Sequence, residues 1–279
     1  MSYNHLEPGK TTYIPSVRIG NWREDLALEE EMFREFLSKK EAGELLIQKS
    51  SALLQQVTTP VDISSDKETI SFGDKIIIFH AQTQHTLSAH IPVGVLHLSD
   101  AIKSPCSVTG STSLLPTVRN TFTIHSVSPE VSDGDPVRFN QPFYLKTQEG
   151  PGGDLYLHSD TASFSKDAKK SRQQEVLLVS PASYFCAWKI LCVRERDRLE
   201  TEGETVPANS IILLNHCRTN QNLSCLSQFS YKTNFGLEHE ITAHTHYTQY
   251  KTIGTQNHWV LMNKSPSKVM EESKKSPEQ

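Results

Sequence analysis

The sequence predicts a mainly β protein: a β-trefoil-like body of three repeats, preceded by an N-terminal arm and an α-helix and followed by a polar tail. Three observations predict it. Helical periodicity is confined to the chain before Pro60. Beyond it, short β-branched and aromatic runs alternate with Gly, Pro, Ser and Asn, the texture of strands joined by turns. Within that region a segment of common layout recurs three times, the mark of a repeat architecture. The expected boundaries are 1–60 for the arm and helix, 61–264 for the β body, and 265–279 for a disordered tail.

The helix is expected from Trp22 to about Gln56, with Leu26, Leu28, Met32, Phe33, Phe36 and Leu37 at steps of three and four. Glu24, Asp25, Glu29, Glu30 and Glu31 crowd its start and Lys39 and Lys40 come later, matching the helix macrodipole. Gly43 marks a stop, with a second helical piece over 44–55.

The repeats are placed at about 70–128, 131–193 and 206–264. Their openers are read as Gly73-Asp74-Lys75-Ile76, Gly134-Asp135-Pro136-Val137 and Ala208-Asn209-Ser210-Ile211. Leucine-containing strands follow at Leu87, Leu155 to Leu157 and Leu223. Each repeat closes on an aromatic strand, and Phe122, Trp188 and Trp259 are the predicted shared core. From Asp74, Asp135 and Asn209 to those aromatics the chain runs 48, 53 and 50 residues. A three-fold closed β structure explains that regularity and hides its strand edges; an ordinary sandwich or barrel is the competing reading. The tail from Ser265 is polar, with little to bury.

Composition narrows the function. A net charge of -4 removes the general attraction on which non-specific nucleic-acid binding depends. Five cysteines without a C-x-x-C pair indicate neither a disulfide framework nor a zinc knuckle. The first residues lack the apolar run of a signal peptide, no stretch is apolar enough to span a membrane, and the Asn222-Leu223-Ser224 sequon is expected to be idle. The expected setting is the cytoplasm.

The chemistry-bearing clusters fall short of sites. His239, His244, His246 and His258, with Glu238 and Glu240, are the densest group of metal-ligand residue types. A metalloprotease helix needs histidines four residues apart; His239 and His244 are five apart, about 140° off that face. On a strand His244 and His246 share a face, but two ligands make a poor site. Gly150-Pro151-Gly152-Gly153 lacks the Lys of a phosphate loop and reads as a hairpin turn. Cys186 and Cys192 sit in or beside an apolar strand and read as inert thiols. Lectin trefoils carry Q-x-W, whereas the positions two before the closing aromatics are Asn120, Cys186 and Asn257. No catalytic, cofactor-binding or metal residue is predicted, no small-molecule substrate is expected, and the protein is expected not to be an enzyme. The leucine-rich repeat texture is closer to the MIR type of trefoil, an interaction scaffold.

The segment Val17-Arg18-Ile19-Gly20-Asn21-Trp22-Arg23-Glu24-Asp25-Leu26, continued by Lys39-Lys40-Glu41-Ala42-Gly43-Glu44-Leu45 and Phe72-Gly73-Asp74-Lys75, resembles the cilia- and flagella-associated protein 161 family. The resemblance covers most of the chain. It implies a structural microtubule inner protein of motile cilia and sperm flagella, on the luminal wall of the A-tubule of axonemal doublets, with tubulin and other inner proteins as partners. Under that implication Arg18, Gly20, Asn21, Trp22, Glu24 and Asp25 are the expected partner-binding residues, since Trp and Arg are enriched in interface hot spots. Packing of Trp22 onto the body is the alternative for the arm. A soluble trefoil that binds carbohydrate or protein is the alternative for the whole.

Overall fold

Two helices on either side of Gly43 open the described part of the chain. The computed structural model describes residues 21–63, 67–92, 102, 104–150 and 153–264, with side chains from Glu24 onward. The expected tail and the arm up to residue 20 lie outside the described residues. The chain divides into two compact units, Met1–Lys49 and Ser50–Gln279.

In the first unit α1 spans Asn21–Glu41, with Glu24 in its first turn and Lys39 and Lys40 in its last. Gly43, at φ +72°, ends it. The Glu44 N–H bonds the Lys39 carbonyl at 2.8 Å and the Gly43 N–H bonds that of Lys40 at 3.3 Å, the two bonds of a Schellman stop. Helix α2, Leu46–Val57, begins with half a capping box: the Leu45 N–H donates to Gln48 Oε1 at 3.3 Å. Gln48 Nε2 also donates to the Lys40 carbonyl at 3.1 Å, which sets the turn between the helices.

The second unit starts inside α2, eleven residues before the expected 61, because Leu53 and Val57 are buried with Ile91. Its strands are all antiparallel. β1 (Lys75–His80), β4 (Thr121–Ser126), β5 (Phe143–Thr147), β8 (Ala187–Leu191), β9 (Ile211–His216) and β12 (Trp259–Met262) pair in that order, and β12 returns to β1. The six form a closed ring without edges. Three hairpins project from it: β2–β3 (His85–Ala89, Cys106–Ser111), β6–β7 (Tyr156–Ser159, Val176–Val179) and β10–β11 (Leu223–Thr233, Gly236–Ala243). They meet where β3 pairs with both β7 and β11.

Register makes the three segments comparable residue by residue. Phe122 lies opposite Ile76 and Thr147, Trp188 opposite Phe143 and His216, and Trp259 opposite Ile212 and His80. All three aromatics are fully buried in one core with Leu87, Leu157 and Leu223. The indole N–H groups of Trp188 and Trp259 are satisfied by the carbonyls of Leu157 and Leu223, both at 2.9 Å, as burial of an indole requires. A cycle of backbone bonds closes the ring's mouth: Ile70 N–H to Val206 O at 3.0 Å, Val206 N–H to Val137 O at 2.9 Å, and Val137 N–H to Ile70 O at 2.8 Å.

One opener lies elsewhere than expected. Gly134 does turn the chain, at φ +102°, but β5 begins only at Phe143. The residue in register with Gly73 (φ +81°) and Asn209 (φ +59°) is Asn140 (φ +65°), three positions before the ring strand's first core residue. Asparagine tolerates this left-handed conformation better than most L-residues, which is why it can stand in for glycine. Counted from these three, the closing aromatics follow after 49, 48 and 50 residues, a tighter spacing than counting from Asp135 suggests.

Candidate functional site

The expected docking residues fall on α1 or before it. Arg18 and Gly20 lie outside the described residues; Asn21 and Trp22 form the first turn of α1, with side chains outside the description. Glu24 is exposed and Asp25 half-exposed. Further along the helix the apolar residues are more telling. Leu26, Leu28, Met32, Phe33, Phe36 and Leu37 are all exposed, Phe33 to 61%. At about 100° per residue these side chains occupy roughly half the circumference of the helix. The flanking charges are solvated; the Glu35–Lys39 pair, at 2.6 Å and exposed at both ends, contributes little to stability. Helix α1 therefore offers an apolar face about 17 Å long, from Leu26 to Leu37.

Several polar groups inside the body are tied into its structure, whereas His90 Nδ1, His158 Nδ1 and Asn215 Oδ1 are buried atoms that find no partner among the described residues. Arg119 and Glu238 form a buried ion pair at 2.6 Å, with side chains 4% and 0% exposed. Glu238 also accepts the Thr109 hydroxyl at 2.8 Å, Arg119 Nε donates to the Ala89 carbonyl at 3.2 Å, and the Phe235 ring centroid lies 3.8 Å from the guanidinium carbon. Burial pulls the Arg119 pKa down and the Glu238 charge opposes it. With both carboxylate oxygens occupied, Glu238 is a tie between the segment before β4 and the β10–β11 hairpin.

Two histidines are ring fasteners. His80 Nε2 faces the Gln256 carbonyl at 3.1 Å and His216 Nε2 the Phe185 carbonyl at 2.9 Å, so in each ring Nε2 carries the proton. Their Nδ1 atoms meet Thr83 and Thr219 hydroxyls, both at 2.8 Å. Burial depresses both pKa values, that of His80 to about 4. The C-terminal histidines disperse: His239 stacks on His85 with ring centroids 4.2 Å apart, and His244 meets His246 edge-on at 4.8 Å. Among the described residues no three His, Cys, Asp or Glu side chains group as a metal site.

Cys186 is buried and Cys192 partly so; all five cysteines are free, and burial pushes the Cys106 and Cys225 thiols up to about 12. Thiols held so far from ionisation are poor nucleophiles. Asn120 and Asn257, noted in sequence only for not being glutamine, are fully buried clamps. Asn120 accepts the Thr117 N–H at 2.7 Å and donates to Leu115 O at 2.9 Å; Asn257 accepts the His246 N–H at 2.8 Å and donates to His244 O at 2.8 Å. Their identical place two residues before Phe122 and Trp259 was the available signal.

Where the hairpins meet, His90, Thr109, Glu175, Leu177, Tyr231 and Glu240 line a cavity of about 200 Å³. Glu240 is saturated there by the Lys170 N–H at 3.0 Å, the Ser171 N–H at 2.8 Å and the Tyr231 hydroxyl. Burial raises the Glu175 pKa. The cavity is smaller than the roughly 300–1,000 Å³ of ordinary ligand pockets.

The molecule is thus a mainly β body with internal polar ties such as Arg119–Glu238, preceded by a helix with an exposed apolar face. Comparisons of fold agree with the mainly β assignment: the SDF2-like protein from Arabidopsis thaliana superposes with a TM-score of 0.53 at 19% identity, covering 69% of this chain and 94% of that one. A Caenorhabditis elegans protein of unknown function gives a TM-score of 0.51 at 17% identity, covering 72% and 99%. The cilia- and flagella-associated protein 161-like domain matches residues 49–264. Cilia- and flagella-associated protein 161 of Danio rerio is 40% identical over 92% of this chain and 89% of its own length, and that of Bos taurus 36% identical over 92% and 84%. The chain belongs to the cilia- and flagella-associated protein 161 family, and is thereby a protein of cilia and flagella.

Proposed function

We propose that the chain is a structural microtubule inner protein of the axoneme, bound to tubulin and neighbouring inner proteins on the luminal wall of the A-tubule, where it stabilises doublets for motility. The observation that carries this reading is the exposed apolar face of α1 in a chain of a cilia- and flagella-associated family. Such a face is costly to leave in water and gains free energy when a partner covers it. The body serves as a β-trefoil of MIR-like type, with repeats at about 70–128, 131–193 and 206–264; the cyclic Ile70–Val206–Val137 bonds support a three-fold reading. In this role the protein acts by occupancy rather than by catalysis. Arg18, Gly20, Asn21, Trp22, Glu24 and Asp25 lead into the apolar face and dock with it.

The test is stepwise extraction of motile cilia with detergent, then high salt, then a buffer that dissolves doublets. Retention until the doublets dissolve is the expected result. Release by detergent or modest salt overturns the luminal role.

A further inference from the structure

The ring closes through three junctions that register makes equivalent. At each, the residues before a closing aromatic lie beside the turn that comes after the paired ring strand: four positions before the aromatic and two after the strand's last residue. These positions are Val118 and Glu149, Tyr184 and Arg218, and Thr255 and Gln82. The molecule thus contains its own comparison. At the third junction the Thr255 hydroxyl donates to Gln82 Oε1 at 2.7 Å, a self-contained polar pair. At the second, the Arg218 guanidinium lies 4.7 Å from the Tyr184 ring centroid and 4.3 Å from that of Phe185.

That cluster is exposed yet held. Tyr184 is 60% exposed and Arg218 is exposed, while the two rings pack at 5.0 Å and 48°. The Phe185 carbonyl is anchored by His216 Nε2 at 2.9 Å, and His216 packs on the buried Trp188 ring at 4.9 Å. The rings hold the guanidinium plane, and so remove part of the entropy that a free arginine would lose on binding. Among the described residues Arg218 makes these ring contacts and no ion pair; Asp160 feels its charge but pairs with Lys166 at 3.5 Å. A stacked guanidinium with its N–H edge open suits a carboxylate, which it can grip through two parallel bonds.

We infer that Tyr184, Phe185 and Arg218 form a docking site for an acidic segment of a partner protein, the guanidinium taking a carboxylate and the rings flanking its stem. This deepens the docking reading by naming the chemistry of one contact on the body. The discriminating variant is the triple exchange Tyr184→Thr, Phe185→Gln, Arg218→Gln, which installs the residues that the third junction uses and should keep the fold. Arg218→Lys is the conservative companion: it keeps the charge but not the planar fork.

The probe is acetylated tetraglutamate amide, titrated into the full chain while the Arg218 Nε–Hε and Tyr184 amide resonances are followed. A saturable shift is expected at Tyr184 and Arg218, weakened at least 10-fold from 50 to 500 mM salt, lost from the Tyr184-position amide in the triple exchange, and weakened about 10-fold in Arg218→Lys. No saturable shift in the native chain, or an undiminished response in the triple exchange, overturns the site. Pelleting with doublets is run alongside. Failure of the native chain to pellet counts against the doublet role alone, because the peptide titration reads the site without doublets.

Discussion

Helices α1 and α2 are neighbours in the chain, carry the same three-and-four apolar spacing, and meet opposite fates. In α2 that spacing buries Leu53 and Val57 against Ile91. In α1 a longer run, Leu26 to Leu37, stays in water. Periodicity reports which face of a helix is apolar, and says nothing of what will cover it. Under the proposed function, α2 holds the body together and α1 holds it to a partner.

That division can be broken by substitution. The largest effect belongs to the core inside the ring: Trp259→Ala, at a fully buried residue, should cost about 3–5 kcal/mol in urea unfolding. Loss of less than about 1 kcal/mol would mean that the ring is not the folding core. Next comes the direct contrast between the helices. Leu53→Ala should cost roughly 2–4 kcal/mol, whereas Phe33→Ala should stay within about 0.5 kcal/mol. Equal costs would erase the distinction between them.

Acid should separate the two regions as well. His80 has a folded pKa of about 4 against an ordinary 6.5, so between those values the unfolded chain binds the proton and the folded ring does not. Stability from the neutral imidazole is therefore present above pH 6.5 and lost as the pH falls toward 4. Lowering the pH from 7 to 5 should cost the body roughly 2 kcal/mol. His80→Gln should flatten that slope, and an unchanged slope would rule the histidine out as its cause. Depression of the His216 pKa acts in the same direction.

Much of this was legible because it is local or large. Both helices follow from spacing, and the stop between them from Gly43; the closing aromatics stand out because little else of their size recurs at that interval. What the sequence hides depends on contact rather than order. The Arg119–Glu238 pair joins residues 119 positions apart. The second opener lies elsewhere than the sequence suggests because Gly134-Asp135 is a stronger turn signal than Asn140-Gln141, although Asn140 holds the register position. The His80–Thr83 and His216–Thr219 fasteners are inconspicuous in sequence beside the denser C-terminal histidines, which the fold scatters. The exposure of α1 could not be foreseen, since a pattern fit for burial has the same letters whether the partner is in the chain or outside it.

The proposed function makes attachment by α1 and stability from the body separable properties. The most direct test of that separation is doublet incorporation of a full-length chain with Leu26, Met32, Phe33, Phe36 and Leu37 all changed to Ser, expressed in ciliated cells lacking the native protein. The expected result is a body of unchanged urea midpoint and at least a 10-fold loss of doublet-bound protein. Normal incorporation of that variant would contradict it.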